Sequence, residues 1–228
     1  MKYKKIQKDK FKQFDLTLLA ESYVHLSPFE IKGISLHSLK NLDKVSRVFV
    51  EEFYKTDIEI VTSFEEGSFK KWTAVLGAMY IAIADYGGFR DGIDRLYDDA
   101  KVLTNIVNNM TISELNPSQD QIYRTERRTG VPGILKEVLD DIDSLAIDPS
   151  PYSEAERIAI IDRMKRRILR ALSLSASVDE QFITQGIFNY AVQRLPRRQQ
   201  REVSSRMPVD IWRNDLNESI DESESRDE

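Results

Sequence analysis

Hydrophobic and polar residues alternate along much of the first third of the chain. In residues 57–65, Ile58, Ile60, Thr62 and Phe64 fall on one side of an extended chain. Alternation with a period of two is typical of a strand with one buried face. The pattern predicts strands at residues 15–23, 29–35 and 57–65, a hairpin partner at 68–72, and one helix between Ser38 and Phe53.

The period changes to three and four residues from Phe89 onward. Hydrophobic residues recur at that spacing from Phe89 to Met110 and define one face of a long helix. Three further helices follow the same rule. We predict that they begin near Pro132, at a capping box of Ser153 with Glu156, and at a second capping box of Ser177 with Glu180, the last helix ending at Pro196.

The most apolar segment, WTAVLGAMYIAIA at residues 72–84, lies between these two regions. A helix over it spans about 20 Å, whereas a bilayer core is about 30 Å thick. We predict a buried helix that begins near Thr73 and brings Ala74, Ala78 and Ala82 to one side. Gly87 and Gly88 supply a positive-φ residue after the helix, and the helix from Phe89 completes an αα-hairpin.

These elements predict an α+β protein in which a small N-terminal β-sheet is crossed by one helix and is followed by an αα-hairpin and a C-terminal helical bundle. The predicted divisions are a basic extension at 1–14, an α+β core with the αα-hairpin at 15–110, a polar loop at 111–130, a helical bundle with a basic face at 131–206, and an acidic tail at 207–228.

Composition restricts the chemistry that the chain can perform. There is no cysteine, which excludes disulfides, thiolate metal sites and cysteine nucleophiles. The two histidines, His25 and His37, have no evident relay or ligand partners, and no nucleotide, nucleophile-elbow or zinc motif is present. We therefore predict no catalytic residue, cofactor or metal. The basic N-terminus lacks the apolar stretch of a secretory signal, which favours a cytoplasmic protein.

The helix from Phe89 carries acids opposite its apolar face: Asp91, Asp94, Asp98 and Asp99. Carboxylates at this spacing can converge on a divalent cation. However, Arg90 stands four residues before Asp94, and Arg95 stands four residues from both Asp91 and Asp99. Pairs at this spacing stabilise a helix, so an exposed, ion-paired face is favoured over a metal or acid–base site.

Charge is distributed unevenly. Residues 157–201 contain ten basic and three acidic residues, whereas 202–228 contain three basic and nine acidic residues, although the net charge of the chain is −5. A basic helical region is either a solvated face whose charges are compensated within the chain, or a candidate surface for a protein partner or a polyanion. The predicted surface residues are Arg124, Arg127, Arg128, Arg163, Lys165, Arg166, Arg167, Arg170, Arg197, Arg198 and Arg201.

Three functions remain open at this point. The favoured one is a non-enzymatic interaction or structural component, with a protein partner or self-association in an oligomer. The second is a nucleic-acid-binding regulator that uses the basic C-terminal helices. The acidic tail is an argument against this function, because it can neutralise the same charges. The third is a membrane-active effector that uses residues 72–84, a reading disfavoured by the short apolar length of that segment.

Overall fold

The computed structural model describes residues 15–27, 58–65, 69–84, 87–147 and 150–207, together with residues 41, 44 and 48. Four strands form one antiparallel sheet in the order β2-β3-β1-β4. The strands are β1 (Thr17–Leu26), β2 (Ile58–Glu65), β3 (Phe69–Gly77) and β4 (Ile122–Arg128). The helices are α1 (Met79–Ala84), α2 (Phe89–Leu115), α3 (Gly130–Leu145), α4 (Glu154–Leu172), α5 (Ser177–Arg194) and α6 (Arg197–Arg206), with a short 3₁₀ helix at Gln119–Gln121.

The predicted α+β fold with a helical C-terminal part is confirmed. One continuous core joins the sheet to the helices and includes Val75 of β3, Leu96 of α2, Leu139 of α3, Met164 of α4 and Ile187 of α5. The hydrophobic period of these helices therefore marks the faces that the fold buries. Burial of such faces is the main favourable contribution to folding.

The prediction of a single helix from Thr73 is wrong, because residues 69–77 form strand β3 at the centre of the sheet. It pairs with β1 on one side and β2 on the other. Ala74 and Val75 are both buried although they face opposite sides, so the strand reads as a continuous apolar run. Periodicity alone does not distinguish such a strand from a buried helix.

The αα-hairpin is consequently shorter than predicted. Its first helix is α1, which has only six residues, and Ala74 belongs to the preceding strand rather than to a seam of small residues. Gly87 has the predicted positive φ, 81°. Because residues 72–77 pair on both sides within the sheet, residues 72–84 do not form the apolar helix on which the membrane-active hypothesis depended.

The predicted loop at 111–130 is also wrong. Helix α2 continues to Leu115, where Ile112 and Leu115 pack against the buried Phe69 of β3. Residues 122–128 then form edge strand β4 beside β1, and Asn108 of α2 donates a hydrogen bond to the Glu126 carbonyl oxygen at 3.0 Å. Charged residues are common in edge strands because they discourage pairing with another chain, and they concealed this strand in the sequence.

Two capping predictions have different outcomes. Ser153 and Glu156 form the predicted capping box at the start of α4. The box predicted for Ser177 and Glu180 does not form, because α5 begins one residue earlier than expected, with Ala176 as its N-cap.

Several predictions concern residues outside the described ranges. They are the basic extension at 1–14, the strand at 29–35, most of the helix between Ser38 and Phe53, and the acidic tail after Met207. Within that helix, residues 41, 44 and 48 are helical and exposed. Apart from the loop at 111–130, the proposed domain divisions remain predictions.

Gly130 lets the main chain of α3 approach the sheet closely. Its φ is +54°, and a Cβ atom there would lie 2.4 Å from the carbonyl oxygen of Leu18 in β1. Only glycine fits such a contact without displacing the main chain. The start of α3 is thereby held against β1, and the buried Val131 that follows enters the core.

A buried carboxylate connects the sheet to two helices. Asp179 of α5 is completely buried, and its two oxygens accept hydrogen bonds from the main-chain N–H groups of Met79 and Tyr80, both at 2.9 Å. The hydroxyl of Thr17 in β1 also donates to Asp179 and accepts from the N–H of Ala176 at 2.9 Å. Asp179 therefore caps α1 and fixes the start of α5 against the end of the sheet.

We predict that Asp179→Ala lowers the free energy of unfolding by about 3 kcal/mol or more, because each buried donor left unpaired costs about 1–3 kcal/mol. Urea unfolding followed by far-ultraviolet circular dichroism measures the change. The control is Asp98→Ala, whose side chain is 69% exposed and whose loss is expected to cost about 0.5 kcal/mol or less. Equal stability of the two variants would contradict the role assigned to Asp179.

Candidate partner-binding surface

The structure places the eleven predicted basic residues on three elements. Arg124, Arg127 and Arg128 lie on edge strand β4. Arg163, Lys165, Arg166, Arg167 and Arg170 lie on α4, and Arg197, Arg198 and Arg201 lie on α6. Helices α4 and α6 pack against each other, and the Arg157 Nε atom lies 3.6 Å from Glu202 Oε2 across their contact.

Two arginines of β4 are neutralised within the sheet. Arg124 and Arg128 both form ion pairs with Glu126, and Arg128 also lies 3.6 Å from Glu21 of β1. Arg127 is exposed and forms no ion pair with another described residue. Strand β4 therefore contributes one uncompensated charge rather than three.

Asp141 of α3 occupies two of the arginines of α4. Its side chain is 10% exposed. Arg163 contacts it through two nitrogens, at 2.5 and 3.2 Å, and Arg167 pairs with the same carboxylate and with Glu137 at 2.8 Å. The hydrogen bond to Asp141 raises the pKa of Arg163 further above its usual value. These two arginines hold α4 on α3 and are occupied within the chain.

The other predicted cations of these two helices form no ion pair with any other described residue. We call this set the basic surface. It comprises Lys165, Arg166, Arg170, Arg197, Arg198 and Arg201. All except the half-buried Lys165 are exposed. The charge predicted from the sequence thus separates into arginines that stabilise the fold and cations that face solvent.

An exposed leucine lies among the cations of α4. Leu169 is 46% exposed and follows Arg166 by one turn, next to Arg170. Residues three and four apart share one side of a helix. The exposed side of α4 therefore combines a large apolar side chain with two arginines.

Helix α6 begins with positive charge where a helix favours negative charge. Its N-cap is Pro196, no side chain caps it, and no acid lies in its first turn. Arg197 and Arg198 occupy that turn instead. Since the helix dipole places partial positive charge at the N-terminus, these arginines and the dipole together form an electropositive end.

A cleft lies beside α5, on another side of the bundle. It has a volume of about 590 Å³ and is lined by residues of α1, the start of α2 and α5. The rings of Phe89 and Phe182 lie 5.8 Å apart in it. A Cβ atom on Gly186 would lie 2.3 Å from the Phe89 ring, so this glycine in mid-helix allows the ring to seat. A glycine inside a helical pattern is the sequence signal that could have indicated the cleft.

A cluster of charges borders the cleft. Arg90 contacts Asp94 at 2.8 Å and Asp140 at 2.7 Å, and Asp143 accepts hydrogen bonds from Tyr190 at 2.7 Å and from a nearby arginine. Burial and the hydrogen bond to Asp143 raise the pKa of Tyr190, which keeps its phenol protonated at neutral pH. Tyr190 therefore donates its phenol hydrogen bond to Asp143, at 2.7 Å.

The ion-paired prediction for the acids of α2 has a mixed outcome, because Asp91 forms no ion pair with another described residue. The pair of Arg90 with Asp94 is confirmed, and Lys101 lies 3.4 Å from Asp98. No group of three or more histidines, aspartates or glutamates is placed to hold a metal ion within the part of the chain that the structure describes.

Comparison with known proteins gives no functional lead. No family model, curated protein or solved structure matches this chain. No helix among the described residues combines the length and apolar character needed to cross a membrane. The choice between functions therefore depends on the geometry of the surfaces themselves.

We predict a pH-dependent effect of Asp140→Asn on stability. Burial alone would raise the pKa of Asp140, but hydrogen bonds from Lys136 and Arg90, and their charges, lower it below its usual value of 3.8. A lowered pKa in the folded state adds stability above the usual pKa, and this contribution is lost as the pH falls through the folded-state value. The variant should therefore be less stable than the wild type at pH 7, by about 0.5–1 kcal/mol, the usual contribution of an exposed ion pair.

The difference should shrink as the pH falls below 3.8 and disappear once the pH is below the lowered folded-state pKa, where the carboxyl is protonated in both states. Urea midpoints of the two proteins at pH 7 and pH 3 measure it. A difference that stays constant across this range would show that the charge of Asp140 does not contribute to stability.

Proposed function

We propose that this chain functions by binding an acidic surface of a protein partner rather than by catalysis. The observation that carries the proposal is the basic surface on α4 and α6, six cations that form no ion pair with another described residue. Uncompensated charge of one sign steers association with a partner of the opposite sign and selects against others. The cytoplasmic location expected from the sequence remains part of this proposal.

The composition of the surface supports a protein partner. Leu169 is 46% exposed between Arg166 and Arg170. Arginine is enriched at protein interfaces, where its aliphatic part packs against apolar groups while its guanidinium forms hydrogen bonds. A partner that buries Leu169 and pairs with the two arginines would gain both the burial of apolar surface and the hydrogen bonds of the guanidinium groups.

The two helices are also held in place before any partner binds. Arg163 and Arg167 join α4 to Asp141 of α3, and Arg157 joins α4 to Glu202 of α6. A rigid surface loses less conformational entropy on association than a mobile one. The internal ion pairs thus favour binding by the unpaired cations, because they keep the helices that carry these cations rigid.

Charge reversal on the basic surface tests the proposal. The variant is Arg166→Glu with Arg170→Glu, and the control is Lys101→Glu with Arg127→Glu, which changes the charge equally on α2 and β4. Proteins that co-purify with the tagged chain from its native host are quantified by mass spectrometry. A specific partner should be recovered at least tenfold less with the variant and unchanged with the control. The proposal would be overturned if every partner were lost equally from the variant and the control, or if no partner were lost from either protein.

Binding of nucleic acid is a second candidate, favoured by the start of α6. There Arg197 and Arg198 lie in the first turn of a helix that no side chain caps, and helix N-termini of this kind also bind phosphate groups. The affinity for a fluorescent 20-nucleotide DNA or RNA, measured by anisotropy, should fall steeply between 50 and 200 mM salt, with a log–log slope of about −4 to −5 if six phosphates are contacted. Absence of binding at 50 mM salt would overturn this candidate.

A further inference from the structure

The charge of the basic surface is matched by the C-terminal segment of the same chain. Residues 208–228 contain eight acidic residues and two arginines, a net charge of −6. The basic surface carries six positive charges without an ion-pairing partner among the described residues. The two sets are opposite in sign and similar in net charge, and Arg206 of α6 is a further cation that forms no ion pair with another described residue.

The arrangement of the cations is unfavourable unless an anion compensates it. Arg166 and Arg170 on α4, and Arg197 and Arg201 on α6, are pairs of like charge four residues apart. Such pairs destabilise a helix, and Arg197 and Arg198 also oppose the dipole at the start of α6. Negative groups placed over these helices would remove both penalties, which gives a physical reason for an acidic occupant.

The segment begins close enough to reach this surface. It follows Met207, whose side chain is 4% exposed, directly after α6. An extended segment of 21 residues spans at most about 70 Å, whereas α4, with its 19 residues, is about 28 Å long. Attachment to α6 keeps the segment at a high effective concentration, of millimolar order, beside the cations.

We propose that residues 208–228 bind the basic surface of their own chain and must be displaced by any acidic partner or nucleic acid. The segment acts as an internal competitor that sets a threshold for binding and discriminates against weak polyanions. The contact itself is independent of the proposed function. Its regulatory effect rests on that function.

Zero-length carbodiimide cross-linking of the full-length protein tests the contact. The reagent joins an amine to a carboxylate that touches it, and Lys165 supplies an amine on the basic surface. Two charge-preserving substitutions, Arg170→Lys and Arg198→Lys, add amines on α4 and α6. Mass spectrometry should find links from these lysines to residues 208–228, at least fivefold fewer in 500 mM salt than in 50 mM, because salt screens exposed charges.

Lys101 of α2 is the control amine, since it lies outside the basic surface. Links to Lys101 as frequent as those to Lys165, or no links from the basic surface at all, would overturn the contact. An equal mixture of unlabelled and ¹⁵N-labelled protein distinguishes the same chain from a second copy. Links that join labelled to unlabelled peptides would overturn binding within one chain.

A second measurement tests the competition. Five acids of the segment are neutralised in the full-length chain, by Asp221→Asn, Glu222→Gln, Glu224→Gln, Asp227→Asn and Glu228→Gln. Heparin serves as the probe polyanion. The neutralised protein should bind heparin at least tenfold more tightly than the wild type at 150 mM salt, and unchanged affinity would overturn the competition. Failure of the proposed function alone would leave the cross-links intact, so the two failures are distinguishable.

Discussion

The buried carboxylate of Asp179 is the interaction on which the arrangement of the elements depends. A charged group without solvent is tolerated only when hydrogen bonds compensate it, and Asp179 receives them from Thr17, Met79 and Tyr80. These donors belong to the first strand and to the helix that follows the third strand, whereas the acceptor begins α5. The requirement to satisfy this buried carboxylate thus positions α1 and α5, two of the helices that line the cleft.

A second acid, Asp141, determines what the basic helices present to solvent. Its nearly buried carboxylate binds Arg163 and Arg167 and so fixes α4 on α3. Arg166 and Arg170, which it does not bind, remain exposed, together with Leu169. The basic surface therefore consists of the cations that have no acidic partner within the described part of the chain. The ion pairs that the neighbouring arginines form with Asp141 hold α4, which carries part of this surface, in place. A partner meets helices that are already in place, which favours affinity by reducing the entropy lost on binding.

The candidate surface could be predicted from the sequence only in part. A cluster of arginines is visible in any charge count, but the count does not reveal which of them have acids across a helix or strand contact. Arg124, Arg128, Arg163 and Arg167 are paired in the fold, three of these pairings being with residues 20 or more positions away or across the sheet. The cleft was missed for a similar reason, since Phe89 and Phe182 are distant in the chain and meet only because Gly186 leaves room for the ring.

The sequence by itself determined the faces of the long helices and the α+β class, because a period of 3.6 residues or of two is a property of local geometry. It also determined the capping box of Ser153 with Glu156, which needs only neighbouring residues. Tertiary structure decided that residues 69–77 form a central strand and that 122–128 form an edge strand. Both faces of the strand at 69–77 are covered, so its sequence lacks the two-residue alternation of a half-buried strand. The strand at 122–128 is not recognisable because most of its residues are polar or charged. Strand pairing and burial by distant residues then overrule the local preference.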